Sequence, residues 1–336
     1  MAIKRRHVPT LADVANEARV SLMTASRVLN GSRYVREEKI AKVRAAMSRL
    51  GYRPNELARS LMTRKSAAIG IVVANLSNPF VVDVIKEVQE VARSNGYVVT
   101  VTSSGGDLNV QRAEIEILVR RQIDGLIIAP AESERDSFPD ILPAGLPVVT
   151  FDNRIRGARF DSVTITNRRS SREATEHLLH HGLQRILAVG TRPGLYTSRE
   201  RIAGYREAMC TASLEPKLCV VNHESLLTVQ WLEEMLRRQS ANAIFSLNWV
   251  STLQVLRALR LLRVKIGTGM PLISFDDFEL GDLLTPRLSV VKQPSEMLGR
   301  ESARLLFQRL NGNKVQRNCA VVLPASLIIR ESCGCC

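Results

Sequence analysis

The chain has 336 residues, of which 45% are hydrophobic and 24% are charged. This length allows about two domains at roughly 150 residues each, and no apolar run reaches the ~18 residues that a membrane-spanning helix needs. The basic start, residues 1–8, is not followed by an apolar run, so we expect no secretory signal, no membrane partner and a cytoplasmic location.

The net charge of +14 is concentrated near one end of the chain. Residues 1–65 contain 15 Lys and Arg against 5 Asp and Glu, whereas the other 271 residues contain 32 basic and 28 acidic groups. Such a basic patch attracts phosphate and makes binding salt-dependent. A solvated basic face is the alternative, but the patch coincides with the motif described next, which favours nucleic-acid binding.

Residues 10–30 have the pattern of two short helices joined by a tight turn. Thr10 followed by Asp13 predicts a capping-box start for the first helix, and Ser21 can cap the second. The second helix has an apolar side and a further surface left free, which carries Leu22, Met23, Ser26 and Arg27. This pattern predicts a helix-turn-helix, whose second helix enters the major groove of DNA.

A third amphipathic segment, Glu37 to Leu50, predicts a helix that ends at Gly51. The next stretch contains Pro54 and Asn55, which signal a helix start. Eight residues of helix are marginal in free solution. We therefore expect this segment to order when it docks, with an ordinary linker as the alternative.

From Ala67 onward, short apolar runs alternate with helical stretches. The predicted strands are Ile69–Ala74, Val98–Thr102, Leu126–Ala129, Val148–Phe151, Ile186–Val189, Leu218–Asn222, Ile244–Leu247 and Leu272–Phe275. The predicted helices are Val81–Ser94, Gln111–Gln122, Glu173–His181, Arg199–Thr211, Val229–Arg238 and Thr252–Leu262. This alternation predicts a doubly wound α/β fold with parallel strands, and the number of strands favours two sheets over one.

Polar residues cluster at the predicted strand ends, at 75–78, 152–153, 248 and 276–277. Ligands of such folds bind at the carboxyl ends of strands, and these side chains suit a hydroxyl-rich ligand. Helix caps and turns are the alternative role for Asp and Asn. The sequence has no dinucleotide fingerprint, phosphate loop or nucleophile elbow, so we expect no cofactor and no enzymatic activity.

Six cysteines are scattered along the chain without a paired Cys-x-x-Cys set. We expect the Cys-Gly-Cys-Cys end, residues 333–336, to be an unstructured tail. His177 and His181 lie four apart on a predicted helix but lack a nearby third ligand in the sequence. The sequence therefore predicts no metal site.

Several motifs occur in one order from about Val8 to Ser332: TLADVA, VSLMTASRVLNG, LGYRPNELARSL, IGIVV followed by SNPF, DGLII, HLLHHGLQRI, RIAGYR, FDDF, KQP and LIIRES. Each is weak alone, but together they are highly specific. In this order they resemble the lactose-repressor/galactose-repressor (LacI/GalR) family of bacterial regulators. The resemblance implies an α/β protein with a three-helix helix-turn-helix head, a hinge helix and a two-lobed, doubly wound core similar to periplasmic sugar-binding proteins.

The resemblance also implies a division of the chain into parts. They are a DNA-binding head (1–53), a hinge helix and linker (54–66), an effector-binding and dimerisation core (67–332) and a tail (333–336). Within the core, lobe one comprises about 67–165 and 291–323, and lobe two comprises about 166–290 and 324–332. The chain would thus cross three times between the lobes.

Residue roles follow from matching motif positions to the family. Major-groove contacts are implied for Leu22, Met23 and Arg27, and phosphate contacts for Ser21, Thr24 and Asn30. Minor-groove contacts of the hinge are implied for Asn55, Ala58 and Leu61. Effector contacts are implied for Phe80, Asp152, Arg201, Asn248, Trp249 and Asp276.

Two positions depart from the family pattern. Arg19 stands in the turn where glycine is usual, and a positive φ there would cost roughly 1 kcal/mol. Trp249 follows Asn248 where an Asn-Asp pair is common, and it can either stack on a ligand ring or face the core.

The expected function is sequence-specific regulation of transcription, as a repressor. We expect a homodimer on near-palindromic operator DNA, controlled by a small-molecule effector of the carbohydrate class. The alternatives are a solute-binding protein and a sugar-modifying enzyme on the same core. The first leaves the basic head unexplained, and the second lacks a nucleophile–base pair.

Overall fold

The computed structural model describes residues 9–29, 34–53, 65–133, 138–157, 160–312 and 318–335. The chain divides into two compact units, Met1–Ser66 and Ala67–Cys336. Among the described residues, no helix is both long and apolar enough to cross a membrane.

The first unit contains three described helices: α1 (Leu11–Glu17), α2 (Leu22–Leu29) and α3 (Glu37–Leu50). Their small core is formed by Val14, Ala18, Val43 and Ala46, with Val28, Met47 and Leu50 packed around it. These positions recur at helical spacing, so one apolar stripe on each helix suffices to build the head.

The predicted caps of the head are confirmed. The Thr10 hydroxyl accepts from the Asp13 backbone N–H, and the Asp13 carboxylate accepts from the Thr10 backbone N–H at 2.8 Å. Ser21 Oγ accepts from the Thr24 backbone N–H at 3.2 Å at the start of α2. Gly51 closes α3 in the left-handed conformation, with φ of 61°.

The described part of the second unit alternates strands and helices. Its strands are β1 (Ala68–Val73), β2 (Val98–Ser103), β3 (Gly125–Ile128), β4 (Val148–Phe151), β5 (Asp161–Ile165), β6 (Ile186–Thr191), β7 (Lys217–Val221), β8 (Ala243–Ser246), β9 (Leu272–Phe275), β10 (Ser289–Lys292), β11 (Ala320–Leu323) and β12 (Ser326–Ile328). Its helices are α4 (Pro79–Ser94), α5 (Leu108–Arg120), α6 (Asn167–His180), α7 (Tyr196–Thr211), α8 (Val229–Arg238), α9 (Trp249–Leu261) and α10 (Ser295–Leu310).

Two six-stranded sheets organise this unit, as the alternation predicts. Their strand orders are β11-β5-β4-β3-β1-β2 and β12-β10-β9-β8-β6-β7. The strands pair in parallel except for β10 and β12, which are antiparallel. The two orders repeat each other, so β4 of one sheet occupies the place of β9 in the other. We call the sheets and their helices lobe 1 (α4, α5, α10) and lobe 2 (α6 to α9).

Three short connections join the lobes, at residue 166, at 293–294 and at 324–325. We expect lobe one to resume at about residue 291, but β10 stays in the sheet of lobe 2 through Lys292. α10 is the first element back in lobe 1, where it packs on α4.

Residues 333–335 are ordered, contrary to the unstructured tail expected for 333–336. Glu331–Cys333 forms a short 3-10 helix, and Cys333 is 1% exposed. The Ser332 hydroxyl donates to the Leu272 carbonyl and accepts from the Ser289 backbone N–H, both at 2.7 Å. These long-range bonds to β9 and β10 hold the tail against lobe 2, and local sequence could not show them.

Candidate ligand cleft and nucleic-acid interface

Helix α2 presents an apolar and basic surface to solvent. Leu22 is 54% exposed and Met23 is 64% exposed, while Ala25 on the opposite side is fully buried. Arg27 is also exposed. Large apolar side chains at such exposure contribute little to the core of the head, so this surface is suited to contact a partner.

The turn before α2 adopts the conformation that a glycine would favour. Arg19 has φ of 53°, and its side chain is exposed. The Ser21 and Thr24 hydroxyls lie 2.9 Å apart at the helix start. Asn30, Asn55, Ala58 and Leu61 lie outside the described residues.

A cleft of about 330 Å³ opens between the lobes at the carboxyl ends of both sheets. All six core residues singled out in the sequence line it: Phe80 and Asp152 from lobe 1, and Arg201, Asn248, Trp249 and Asp276 from lobe 2. The fold therefore brings together side chains that lie up to 196 positions apart in the chain. Such a cleft is the usual ligand position in this architecture.

Two carboxylates enter the cleft from equivalent places in the two lobes. Asp152 directly follows β4 and Asp276 directly follows β9, with φ of 62° and 73°. Aspartate tolerates this left-handed conformation better than most residues do. The Asp276 carboxylate, 4% exposed, accepts from the Trp249 backbone N–H at 3.1 Å and from Gln293 Nε2 at 2.5 Å.

Arg201 supplies the positive charge between these carboxylates. It is 4% exposed, with Nε donating to Asn167 Oδ1 at 2.7 Å and Nη1 to the Leu247 carbonyl at 2.8 Å. The guanidinium carbon lies 3.7 Å from the centre of the Phe275 ring. Nη2 has no hydrogen-bond partner among the described residues, so it remains available to a ligand.

The electrostatic balance favours partial protonation of Asp152. Burial raises the pKa of Asp152 to about 6; the Arg201 charge opposes this rise and the Asp276 charge adds to it. Burial also lowers the pKa of Arg201, while both carboxylates counteract that effect. In the cleft, burial therefore opposes the charge of Asp152 and that of Arg201, and the attraction between them offsets part of this cost.

Trp249 and Asn248 each combine a structural contact with a place in the cleft. The Trp249 ring packs edge-to-face on Phe278, with centroids 4.6 Å apart. Asn248 Oδ1 caps α9 through the Ser251 N–H at 2.9 Å, and Asn248 Nδ2 donates to Thr191 Oγ1 at 3.1 Å. The structural roles expected for these residues are thus observed, and their contacts with a ligand stay a prediction.

Direct hydrogen bonds also link the two lobes across the cleft. Arg192 Nη1 in lobe 2 donates to the Gly106 carbonyl in lobe 1 at 2.5 Å. Asn153 Oδ1 accepts from the backbone N–H and the hydroxyl of Thr197 at 3.1 and 3.0 Å. These contacts hold the lobes together and shape the cleft.

Sequence reasoning missed Gln293 as a lining residue. Its Nε2 donates to Asp276, whereas its Oε1 is buried without a hydrogen-bond partner. A buried acceptor without a donor costs about 1–3 kcal/mol, so this oxygen is a position for a ligand hydroxyl. The signal available in the sequence was the KQP motif, which follows β10 at a lobe crossing.

Two sequence profiles match the chain. "Bacterial regulatory proteins, lacI family" matches residues 10–55, and "Periplasmic binding protein-like domain" matches residues 175–333; together they match more than half of the chain. The chain thus carries a LacI-family DNA-binding domain followed by a periplasmic-binding-protein-like domain. It therefore joins a DNA-binding helix-turn-helix head to a ligand-binding core and acts as a transcriptional regulator.

Full-length relatives agree with this assignment. The chain is 28% identical to a ribose operon repressor of Halalkalibacterium halodurans over 96% of both chains. It is 27% identical to the HTH-type transcriptional repressor PurR of Photobacterium profundum, over 96% of this chain and 98% of the relative. These relatives are named as regulators of transcription.

Solved structures share the fold. A transcriptional regulator CelR–cellobiose complex superposes with a TM-score of 0.70 at 28% identity, over 96% of this chain and 99% of that one. A regulator from Alkaliphilus metalliredigens complexed with D-xylulofuranose gives 0.71 at 26% identity, over 80% and 99%. A lac repressor dimer bound to operator gives 0.85 at 24% identity, over 97% and 99%, which supports the fold alone.

Proposed function

We propose that this regulator is a sequence-specific repressor whose affinity for operator DNA is set by a carbohydrate bound in the cleft. Residues 1–53 bind DNA, 54–66 form the hinge, and 67–332 bind the effector and dimerise. The observation that carries this proposal is the cleft itself. It collects two carboxylates, a buried guanidinium and amides from both lobes, in a chain whose head exposes a recognition helix.

In this proposal, α2 reads base edges in the major groove. The Arg27 fork binds a guanine in two places, which is worth about 1–3 kcal/mol of discrimination. The exposed Leu22 and Met23 pack on thymine methyl groups. Ser21, Thr24 and Asn30 contact phosphates and fix orientation without reading sequence.

The hinge and the dimer complete the DNA contacts in this proposal. Asn55, Ala58 and Leu61 reach the minor groove. Insertion of Leu61 between base pairs costs a few kcal/mol of unstacking, and the opened and bent duplex offsets this cost. One eight-residue recognition helix covers only a half-site, so we propose that two copies of the chain bind a near-palindromic operator.

The cleft chemistry favours a neutral, hydroxyl-rich effector. Asp152, Asp276 and the free Gln293 Oε1 are acceptors for hydroxyl groups, and Arg201 Nη2 is a donor. Phe80 and Trp249 give the cleft apolar surface for the ring of a sugar. The volume of about 330 Å³ is at the small end of ligand pockets, which suits a small saccharide. Cellobiose and D-xylulofuranose in the similar structures support this class.

We propose a binding role for the core and not a catalytic one. Two nitrogens of Arg201 donate hydrogen bonds to protein acceptors, and the Asp276 carboxylate accepts two hydrogen bonds from the protein. These bonds fix both side chains in position to hold a ligand. Turnover of a candidate sugar by the purified protein would favour the enzyme alternative instead.

Footprinting of genomic DNA with the full-length chain tests the DNA-binding half of the proposal. Arg27→Ala should abolish the preference for the footprinted site over random DNA. Arg44→Ala, which removes the same charge from an exposed position on α3, is the matched control and should weaken both DNAs equally. Retained preference in Arg27→Ala would refute the assignment of α2 to base reading.

The genes next to the footprints then narrow the sugars to screen. Both tryptophans, Trp231 and Trp249, lie in the core, so Trp231→Phe leaves Trp249 in the cleft as the only tryptophan. A true effector should raise the melting temperature of the core, change Trp249 emission and alter operator affinity. A sugar that binds without any change in operator affinity would contradict control by this cleft.

A further inference from the structure

Three metal-binding side chains meet in lobe 2, none of which lines the cleft. They are His177 on α6, and Cys333 and Cys335 at the C-terminal end. Their donor atoms all lie within 4.8 Å of one another, and His177 Nε2 lies 3.1 Å from Cys335 Sγ. The expectation that His177 has no third ligand nearby is therefore wrong, because its neighbours lie 156 and 158 positions away in the sequence.

The fold holds each of the three residues from a separate direction. His177 projects from the last turns of α6 and is partly buried. Cys333 ends the 3-10 helix that Ser332 anchors to the sheet. Gly334, with φ of 74°, then reverses the chain so that Cys335 returns towards α6, and a Cβ at that glycine would lie 2.9 Å from the Gly267 carbonyl oxygen. The cluster is thus built from elements fixed by packing.

The donor set selects the kind of ion. Two sulfurs and one imidazole nitrogen suit Zn²⁺ and related thiophilic ions, whereas Mg²⁺ and Ca²⁺ require oxygen ligands. Zn–S and Zn–N bonds of about 2.3 and 2.0 Å place tetrahedral donors about 3.5–3.8 Å apart. The observed spacings reach that geometry with side-chain shifts of about 1 Å or less.

We propose that His177, Cys333 and Cys335 form a Zn²⁺ site that fastens the C-terminal end of the chain to α6. Binding deprotonates the two thiols, so Zn²⁺ enters, two protons leave and the two thiolates neutralise the charge of the ion. Water completes the tetrahedron.

The site connects two elements that also reach the cleft. α6 begins at Asn167, which accepts a hydrogen bond from Arg201, and ends in the turns that carry His177. The tail is bonded to Leu272 of β9, the strand that ends next to Asp276. Zinc binding therefore stiffens the support of two effector-binding side chains.

Zinc titration of the full-length, untagged and reduced protein tests the proposal. The metal-free chain should bind one equivalent of Zn²⁺ in competition with a chromophoric chelator. Co²⁺ should give a thiolate-to-metal charge-transfer absorption band. Zn²⁺ should also raise the unfolding midpoint followed by tryptophan fluorescence, because it binds the native state.

Substitutions of the partly exposed ligands test the residues. Changing a group that only hydrogen-bonds to a metal ligand typically costs about 10–100-fold in metal affinity, so loss of a ligand itself in His177→Gln or Cys335→Ser should cost about 100-fold or more. Cys210→Ser, an exposed thiol on α7, is the matched control and should leave affinity unchanged. The unfolding midpoints of the metal-free variants establish that they are folded.

Two outcomes would overturn the site. Binding of less than about half an equivalent by the wild-type chain, or a Co²⁺ spectrum without the thiolate band, means that no such site forms. Unchanged affinity in His177→Gln means that the cysteines of the tail bind zinc without α6. A loss of affinity in both ligand variants, with Cys210→Ser unaffected, supports the proposed site.

Discussion

Replacing Asp152 with asparagine is predicted to stabilise the core at neutral pH. Asn keeps the size of the side chain and tolerates the positive φ of this position, but it has no charge to bury. The pKa of Asp152 is raised from its ordinary value of 3.8 to about 6, chiefly by burial. The folded state therefore holds a proton that the unfolded chain has already released between pH 4 and 6.

The sign and size of the effect follow from this difference. Where the native state binds more protons than the unfolded state, stability falls as pH rises. A shift of about 2 pKa units corresponds to about 3 kcal/mol, lost by the wild-type chain between about pH 4 and pH 6. Asp152→Asn removes that loss, so its advantage should be near zero at pH 4 and reach about 3 kcal/mol at pH 7.

Urea unfolding followed by tryptophan fluorescence measures this, because both tryptophans lie in the core. With an m value of about 3 kcal/mol/M, the midpoint at pH 7 should rise by about 1 M. Asp83→Asn, an exposed carboxylate on α4, is the matched control and should shift it little. An Asp152→Asn chain that is less stable than wild type at pH 7, or whose advantage does not change with pH, would refute the reasoning.

Three further predictions concern single side chains. Arg201→Met should lower core stability by about 3–5 kcal/mol, because it leaves the carboxylates of Asp152 and Asp276 without their cation. Urea unfolding measures this loss of stability, and a separate binding assay should show loss of effector binding. Ser21→Ala should destabilise the head by about 1 kcal/mol through loss of the α2 cap, measured by thermal melting of helical circular dichroism. Gly204→Ala should cost several kcal/mol or prevent folding, because its Cβ would lie 2.0 Å from the Arg168 carbonyl oxygen; an unchanged urea midpoint would contradict the close packing of α6 and α7.

Elements with a purely apolar pattern were predictable from the sequence, and those that depend on distant partners were not. The predicted bounds of β4, β9 and α8 coincide with the structure. β5 was missed because it begins with Asp161, a buried polar residue whose charge is paired by Arg309 of α10 at 2.7 Å. No local pattern could show that pair, since its members lie 148 positions apart.

α10 escaped prediction for a related reason. Its buried face includes Gly299 and Ser302, small residues that weaken an apolar stripe. The structure explains them, because a Cβ at Gly299 would lie 2.6 Å from the Val84 carbonyl oxygen of α4. Close approach of two helices selects small residues at the contact, and this removes the hydrophobic period on which helix prediction depends.

The candidate cleft depended on the family resemblance more than on local chemistry. Residues 152 and 276 were visible as polar groups after strands, but Arg201 stood inside a helix with no local sign of a role. Gln293 and the cluster at His177 were missed because what marks them is spatial: an acceptor without a donor, and thiols from the far end of the chain. Such signals exist only once the chain is folded.

The repeated lobes suggest how an effector could act on the proposed switch. In each lobe the equivalent strand ends at a phenylalanine that is followed by an aspartate, as in Phe151-Asp152 and Phe275-Asp276. Closing the lobes therefore brings two carboxylates to one cleft. Arg201 offsets the cost of burying the Asp152 charge only in part, since burial keeps the pKa of Asp152 raised beside it. Hydrogen bonds from the hydroxyl groups of a ligand offset the remaining cost, and one ligand reaches both carboxylates only when the two lobes are close together. A ligand shifts a conformational equilibrium by its difference in affinity for the two states, and two acids on opposite walls make that difference large.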